Sequence, residues 1–465
     1  MSAAFATVVP QLREQIDELS EAIEAQKLVL QSLIQKRSEA QTQLNSFLDP
    51  MARLPVEIQS EIFLLCVEKP NFDDPHPHTQ STPILLLHVC RLWRDIASLC
   101  TPRLWTAIVI DLPRRVQDTH YSQLCDEWID RARTLPLSPT LIGISEDNTG
   151  DLMLRCGPQV EELVVLSFHS DEPPATRGLY WGHEICNLLI PGNFPMLRSL
   201  CITAGEPIFL DSMAGWMDIL RAAPNLSRCQ FTDLFLHYNQ GITQPIPSLT
   251  LAHLRELRLG SPSRTEHNTA KILEYLTLPA LETLCVTSFD MTEQEFINFL
   301  ARSSPRLRSL ELDVPKCPPQ AMAHLLVETF RQIPHLADLT LVYSWVDPNS
   351  ESDPFGIFIH NLGSTEDLTK LENLTIWHTN IKSVDCRGLA HALEARFAIQ
   401  PSRTPFHSFR LLCDPDSCHK PYNQLDAVNS DPFFPVLRQL MRDGNHAIHV
   451  GTTSDNFLAR TNEIS

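Results

Sequence analysis

The sequence predicts an α/β repeat solenoid, preceded by a small all-α module and, ahead of that, a coiled-coil-like N-terminal helix. Three observations carry this reading. A Pro-x-Leu-x-x-Leu-x-Leu unit recurs through the C-terminal part of the chain, two short apolar helical passages precede it, and residues 11–48 hold a heptad-spaced apolar stripe without Pro or Gly. The expected divisions are a heptad helix over 1–50, the helical module over 51–111, the repeats over 112–450 and a polar tail over 451–465. A chain of 465 residues with 43% hydrophobic and 20% charged residues has globular composition and is long enough for several domains or one repeat array.

In the first segment, Leu12, Ile16, Leu19, Ile23, Leu30, Leu33 and Leu44 fall on alternating steps of four and three, with Gln26, Arg37 and Ala40 held in register. That is an a/d stripe over about five heptads, and the polar residues around it leave only a narrow seam to bury. Two partners fit such a seam. One is a second copy of the chain, giving a homodimer through residues 12–47; the other is a further segment of the same chain. Pro50 ends the helix.

The helical module opens with Leu54-Pro55-Val56-Glu57-Ile58-Gln59-Ser60-Glu61-Ile62-Phe63, where Pro55 sits at a first helical turn and Ile58, Ile62 and Leu65 line one face. A polar, Pro-rich connector from Lys69 to Pro83 leads to a second apolar helix containing Val89-Cys90-Arg91-Leu92-Trp93-Arg94, and then to Leu104-Trp105. Some 55 residues make a marginal core, so part of the apolar surface suits another protein. These three pieces, in this order, resemble the F-box-like form common in fungal proteins; the connector is longer than in a compact F-box. The resemblance implies docking on a Skp-type adaptor, and through it a cullin, by Leu54, Pro55, Ile58, Ile62, Val89, Leu92 and Trp93.

In the repeats, the lead leucines Leu197, Leu226, Leu254, Leu281, Leu307 and Leu336 are 29, 28, 27, 26 and 29 residues apart. Weaker members begin at Val160 and Leu371, and amphipathic stretches such as Asp211 to Leu220 and Thr292 to Ala301 lie between, the latter opening on a Thr-x-x-Glu capping box. The unit resembles the leucine-rich repeat in its longer form, which implies a leucine-rich-repeat solenoid over about 135–440, with Leu437 to Leu440 in a degenerate last unit. On its concave face the alternate strand positions project outward. They include Glu162, Ser199, Thr283, Ser309, Thr340 and Asn373. Arg228, Gln230, Glu256, Arg258, Glu311, Asp338 and Trp377 are the expected target-binding residues, with solvated strand positions as the plainer reading.

Several function classes are excluded by composition and motif. A net charge of −19 repels a phosphate backbone, so nucleic acid is not an expected partner, and no run of 18 apolar residues suggests a membrane span. The 13 cysteines are scattered with no CxxC pair, and no signal-peptide pattern opens the chain, which together point to cytoplasm or nucleus. In that setting the sequons at Asn225 and Asn373 stay unused. GxGxxG, Walker, HExxH and GxSxG patterns do not occur; His183-Glu184 lacks its second histidine, and Cys413 to His419 lacks a second ligand pair. Dispersed histidines such as His324 and His391 read as helix residues. The expectation is a protein with no catalytic residue, cofactor or metal: the substrate-recognition subunit of a cullin-RING ubiquitin ligase, with an unknown protein as substrate. The alternative is a leucine-rich-repeat scaffold that oligomerises through its N-terminal helix outside any ligase.

Overall fold

The computed structural model describes residues 2–48, 50–67, 82–143, 150–167, 193–210, 213–236, 246–260, 268–287, 291–313, 328–343, 370–378, 386–397, 406–412, 434–443 and 447–453, with residues 185, 189, 362, 456 and 458 singly. The chain divides into two compact units, one of residues 1–69 and 80–104 and the other of residues 70–79 and 105–465.

Described residues of the first unit are helical or in short turns. Helix α1 runs Ser2–Leu48, followed by a 3-10 turn at Met51–Arg53, α2 at Val56–Leu65, α3 at Thr82–Val89, α4 at Arg91–Asp95 and a π-helical turn at Ile96–Cys100. Pro55 precedes α2 in extended conformation, where its missing N–H costs nothing. Cys90 starts α4 by accepting a hydrogen bond from the Trp93 backbone N–H at 3.5 Å. Phe63, Leu86, Ile96 and Ala97 are buried, and Phe63 packs on Trp93 with ring centroids 5.1 Å apart.

The second unit is built on strands β1 (Ala107–Asp111), β2 (Ser138–Ile142), β3 (Glu162–Ser167), β4 (Ser199–Leu210), β5 (Arg228–Leu236), β6 (Leu249–Thr250), β7 (Glu256–Gly260), β8 (Leu276–Thr277), β9 (Thr283–Val286), β10 (Ser309–Asp313), β11 (Asp338–Tyr343), β12 (Asn373–His378), β13 (Ser408–Leu412) and β14 (Ala447–Gly451). Twelve of them form one all-parallel sheet in chain order; β6 and β8 pair separately. From β4 onward, Leu200, Cys229, Leu257, Leu284, Leu310, Leu339, Leu374, Phe409 and Ile448 stand opposite one another in register. Two residues on, Ile202, Phe231, Leu259, Val286, Leu312, Leu341, Ile376, Leu411 and Val450 do the same, and no member of either row is more than 2% exposed. Strand alternation sends both rows to one face, where each fully buried aliphatic contributes about 1.5–3 kcal/mol.

This arrangement corrects the predicted leucine-rich-repeat solenoid, expected to be irregular in repeat length, at about 26–37 residues, but with a strand followed by a helix in each unit. What the described residues form is an α/β architecture around one twelve-stranded parallel sheet, already under way at Ala107, with returning segments of different kinds. The return from β4 to β5 carries a helix, Met213–Ala222, whose Trp216 packs on Phe231. From β9 to β10 the helix is Glu293–Ser303, begun by the Thr292 and Glu295 capping box. Between β7 and β9 lie a 3-10 helix, Asn268–Tyr275, and β8. Pairing offsets also vary: Thr140 meets Val164, 24 residues on, while Ser408 meets Ala447, 39 residues on. The leucine period reports which strand residues face inward, a property of any parallel strand in register, and it carries no information on how the chain returns.

Candidate functional site

On the first unit the motif residues gather on α2, α3 and α4. The side chain of Gln59 turns inward and donates to the Leu54 carbonyl at 2.7 Å, fixing the approach to α2. Thr101 donates to Ser60 at 2.8 Å, and Arg103 pairs with Glu61 at 3.3 Å. Gln59 and Phe63 therefore define the buried side of α2, and the more apolar side, with Ile58 and Leu65, faces solvent. Leu54, Pro55, Ile58, Val89 and Leu92 are exposed; Ile62 and Trp93 are half-buried. Exposed apolar neighbours absent from the predicted set extend the surface: Val56, Ile84, Leu85, Leu99 and, at 86%, Leu65. An amphipathic helix normally hides its greasier face, so periodicity gives the stripe without its direction.

On the second unit the predicted target-binding residues share the sheet face opposite the buried rows. Glu256 accepts from Arg258 at 2.7 Å and from Arg228 of the neighbouring strand at 2.9 Å. Burial pushes the Glu256 carboxyl up, but the Arg258 and Arg228 guanidinium groups outweigh it and hold the pKa below the ordinary glutamate value. Gln230 donates to Thr232 at 3.4 Å. Glu311 lies beside Cys285, whose thiol is pushed well up by burial first and by that carboxylate second, so it stays protonated. Asp338 belongs to a second cluster, accepting from Asn373 at 2.6 Å, which in turn accepts from Ser408 at 2.6 Å. Trp377 stands in register with Val342 and Leu412. Cys285 and Ser408 were missed: Thr283 was the position read on the strand of Cys285, and the strand of Ser408 has no leading Pro-x-Leu.

At the start of β10, β11 and β12 a cavity of about 640 Å³ is lined by Arg306, Arg308, His335, Ala337, Asp338, Lys370 and Glu372. Lys370 Nζ lies 2.8 Å from His335 Nδ1. Its mixed lining offers both signs of charge to a polar ligand.

Among the described residues no group of three or more metal-ligating side chains occurs, and no helix is long and apolar enough to cross a membrane. His391 pairs with Glu394 on an exposed helix face at 3.4 Å. His183-Glu184, His324, Cys413 to His419 and the greater part of the connector lie outside the described residues, as does most of the tail beyond residue 453. No model of a known protein family matches the chain, and no curated protein matches its sequence.

Proposed function

We propose that this protein is the non-catalytic substrate-recognition subunit of an SCF-type ubiquitin ligase, acting in cytoplasm or nucleus. Leu54, Pro55, Ile58, Ile62, Val89, Leu92 and Trp93 hold a Skp-type adaptor, and the polar sheet face, with Arg228, Gln230, Glu256, Arg258, Glu311, Asp338 and Trp377, holds a protein target. The observation that carries the reading is the outward-facing apolar surface of α2 to α4, on the helices that bear the F-box-like residues. Leaving so many aliphatic side chains in water is unfavourable for a small helical unit unless another protein covers them. The mechanism is proximity: a target held beside an activated ubiquitin reacts at high effective concentration, and the receptor supplies no acid, base or nucleophile.

The test is capture of a purified Skp-type adaptor by the full chain and by its Leu54→Ala, Ile58→Ala variant. Truncating two interface anchors costs on the order of 2–6 kcal/mol of binding, enough to abolish capture, while an unchanged melting curve shows the variant folded. No capture by the natural chain sinks the ligase reading. A scaffold outside any ligase, the second reading, draws on the exposed seam of α1 and predicts self-association with no adaptor capture.

A further inference from the structure

Helix α1 spans 47 residues, and its apolar seam is open to solvent: Leu19, Ile23, Leu30, Leu33 and Leu44 are each more than half exposed. We infer that a second copy of this chain covers the seam, with the two helices antiparallel and in the one register that sets Gln26 of each copy against Arg37 of the other.

The choice of register follows from the two polar residues in the seam. When Leu30 of one copy faces Leu33 of the other, Gln26 meets Arg37 on both sides of the centre, and the glutamine carbonyl can accept from the guanidinium. The outer layers then pair Ile23 with Ala40 and Leu19 with Leu44. A slip of one heptad in either direction sets Arg37 on Leu19 or Leu33 and Gln26 on Leu30 or Leu44, leaving buried polar groups without partners. Charge selects the direction. Residues 16–31 carry Asp17, Glu18, Glu21 and Glu24 against Lys27, and residues 32–47 carry Lys36 and Arg37 against Glu39. Parallel pairing stacks Arg37 on itself, which antiparallel pairing avoids; the acidic side chains occupy outer heptad positions, so laying the acidic half on the basic one adds a longer-range, salt-screened preference. Ile16 and Ile23 at a positions with Leu12 and Leu19 at d positions suit a parallel pair, a packing preference confined to the first heptads that does not offset the arginine contact. Flanking the antiparallel seam, Lys27 lies along Ile34 and Lys36 along Val29, so the lysine stems cover the exposed aliphatics.

The experiment is sedimentation equilibrium on the full chain, natural and Gln26→Glu, at low and high salt. The expected result is a dimer that Gln26→Glu tightens by on the order of three- to tenfold at low salt, through two new Glu–Arg pairs, with the gain fading as salt rises. Leu30→Asp at the centre gives monomer. A natural chain that is monomeric at micromolar concentration, or forms any higher oligomer, overturns the proposal. So does a dimer that Gln26→Glu weakens, the parallel outcome, or leaves unchanged. None of these results bears on adaptor capture, so this inference and the ligase reading fail separately.

Discussion

Aliphatic side chains are treated in opposite ways by the two units. Across the sheet, Leu257, Leu284, Leu310 and their neighbours are stacked out of solvent strand after strand, while many positions on the other face are polar and form clusters such as Arg228, Glu256 and Arg258, or Asp338, Asn373 and Ser408. In the helical unit, Ile58, Leu65, Leu85 and Val89 stay in water, and α1 leaves a whole seam there. The difference teaches that the sheet closes its core by its own repetition, whereas the helical unit has an interior of a few residues and more apolar surface than it can fold away. Binding is therefore expected to run on apolar anchors at one unit and on polar complementarity at the other.

The strongest way to break this contrast is to remove one aliphatic from each side of it. Leu284→Ala opens a cavity in the middle of the sheet and is expected to cost about 2–5 kcal/mol in urea unfolding, whereas Leu65→Ala should fall within about 0.5 kcal/mol of the natural chain. Equal costs would mean that Leu65 is covered in solution. A second probe is Gly260, which has a φ of +149° and whose added Cβ would collide with the Thr287 side chain of the adjoining segment. Gly260→Ala is expected to destabilise by about 1–3 kcal/mol, read from the same unfolding curves, and a neutral result would show that the sheet yields locally. The smallest effect belongs to the polar face. Glu256→Gln weakens two half-exposed ion pairs and should cost under about 1 kcal/mol. Because the folded carboxyl titrates below the unfolded one, its contribution is complete above the usual glutamate pKa of about 4.3 and is lost as pH falls through the lower folded value. The natural chain should thus lose its advantage over Glu256→Gln on acidification, as paired unfolding curves across pH 3–7 would show.

Legibility in the sequence followed the same division. The buried rows could be read because strand alternation writes leucines two apart, and a parallel register repeats them. Strands β1 and β14 escaped notice: Ile108 with Ile110 and Ile448 with Val450 alternate in the same way, but Pro102-Arg103-Leu104 ahead of β1 stands one residue out of the usual spacing, and β14 has no leading Pro-x-Leu. The returns were legible where they are amphipathic helices, as at Met213–Ala222 and at Glu293–Ser303 with its capping box, and illegible where a 3-10 helix and a short strand, Asn268–Tyr275 and β8, bring the chain back instead. At the candidate site, the stripe of Ile58, Ile62 and Leu65 was plain, yet its outward direction depended on Gln59 and Phe63 finding partners inside. Arg228, Glu256 and Arg258 were legible as outward strand positions, but their joining into one cluster depends on the register of two strands, which no local pattern gives.

Sequential strand order has a consequence for synthesis. Because each strand from β1 onward, β6 and β8 apart, docks on the one made before it, the edge offered by the partly made sheet is always the edge that the next strand needs. A chain emerging from the ribosome can therefore add strands in the order they appear, without holding an early segment open for a late partner. The exposed hydrogen-bonding edge moves forward with translation, so at each moment the growing protein presents a single fresh edge to its surroundings.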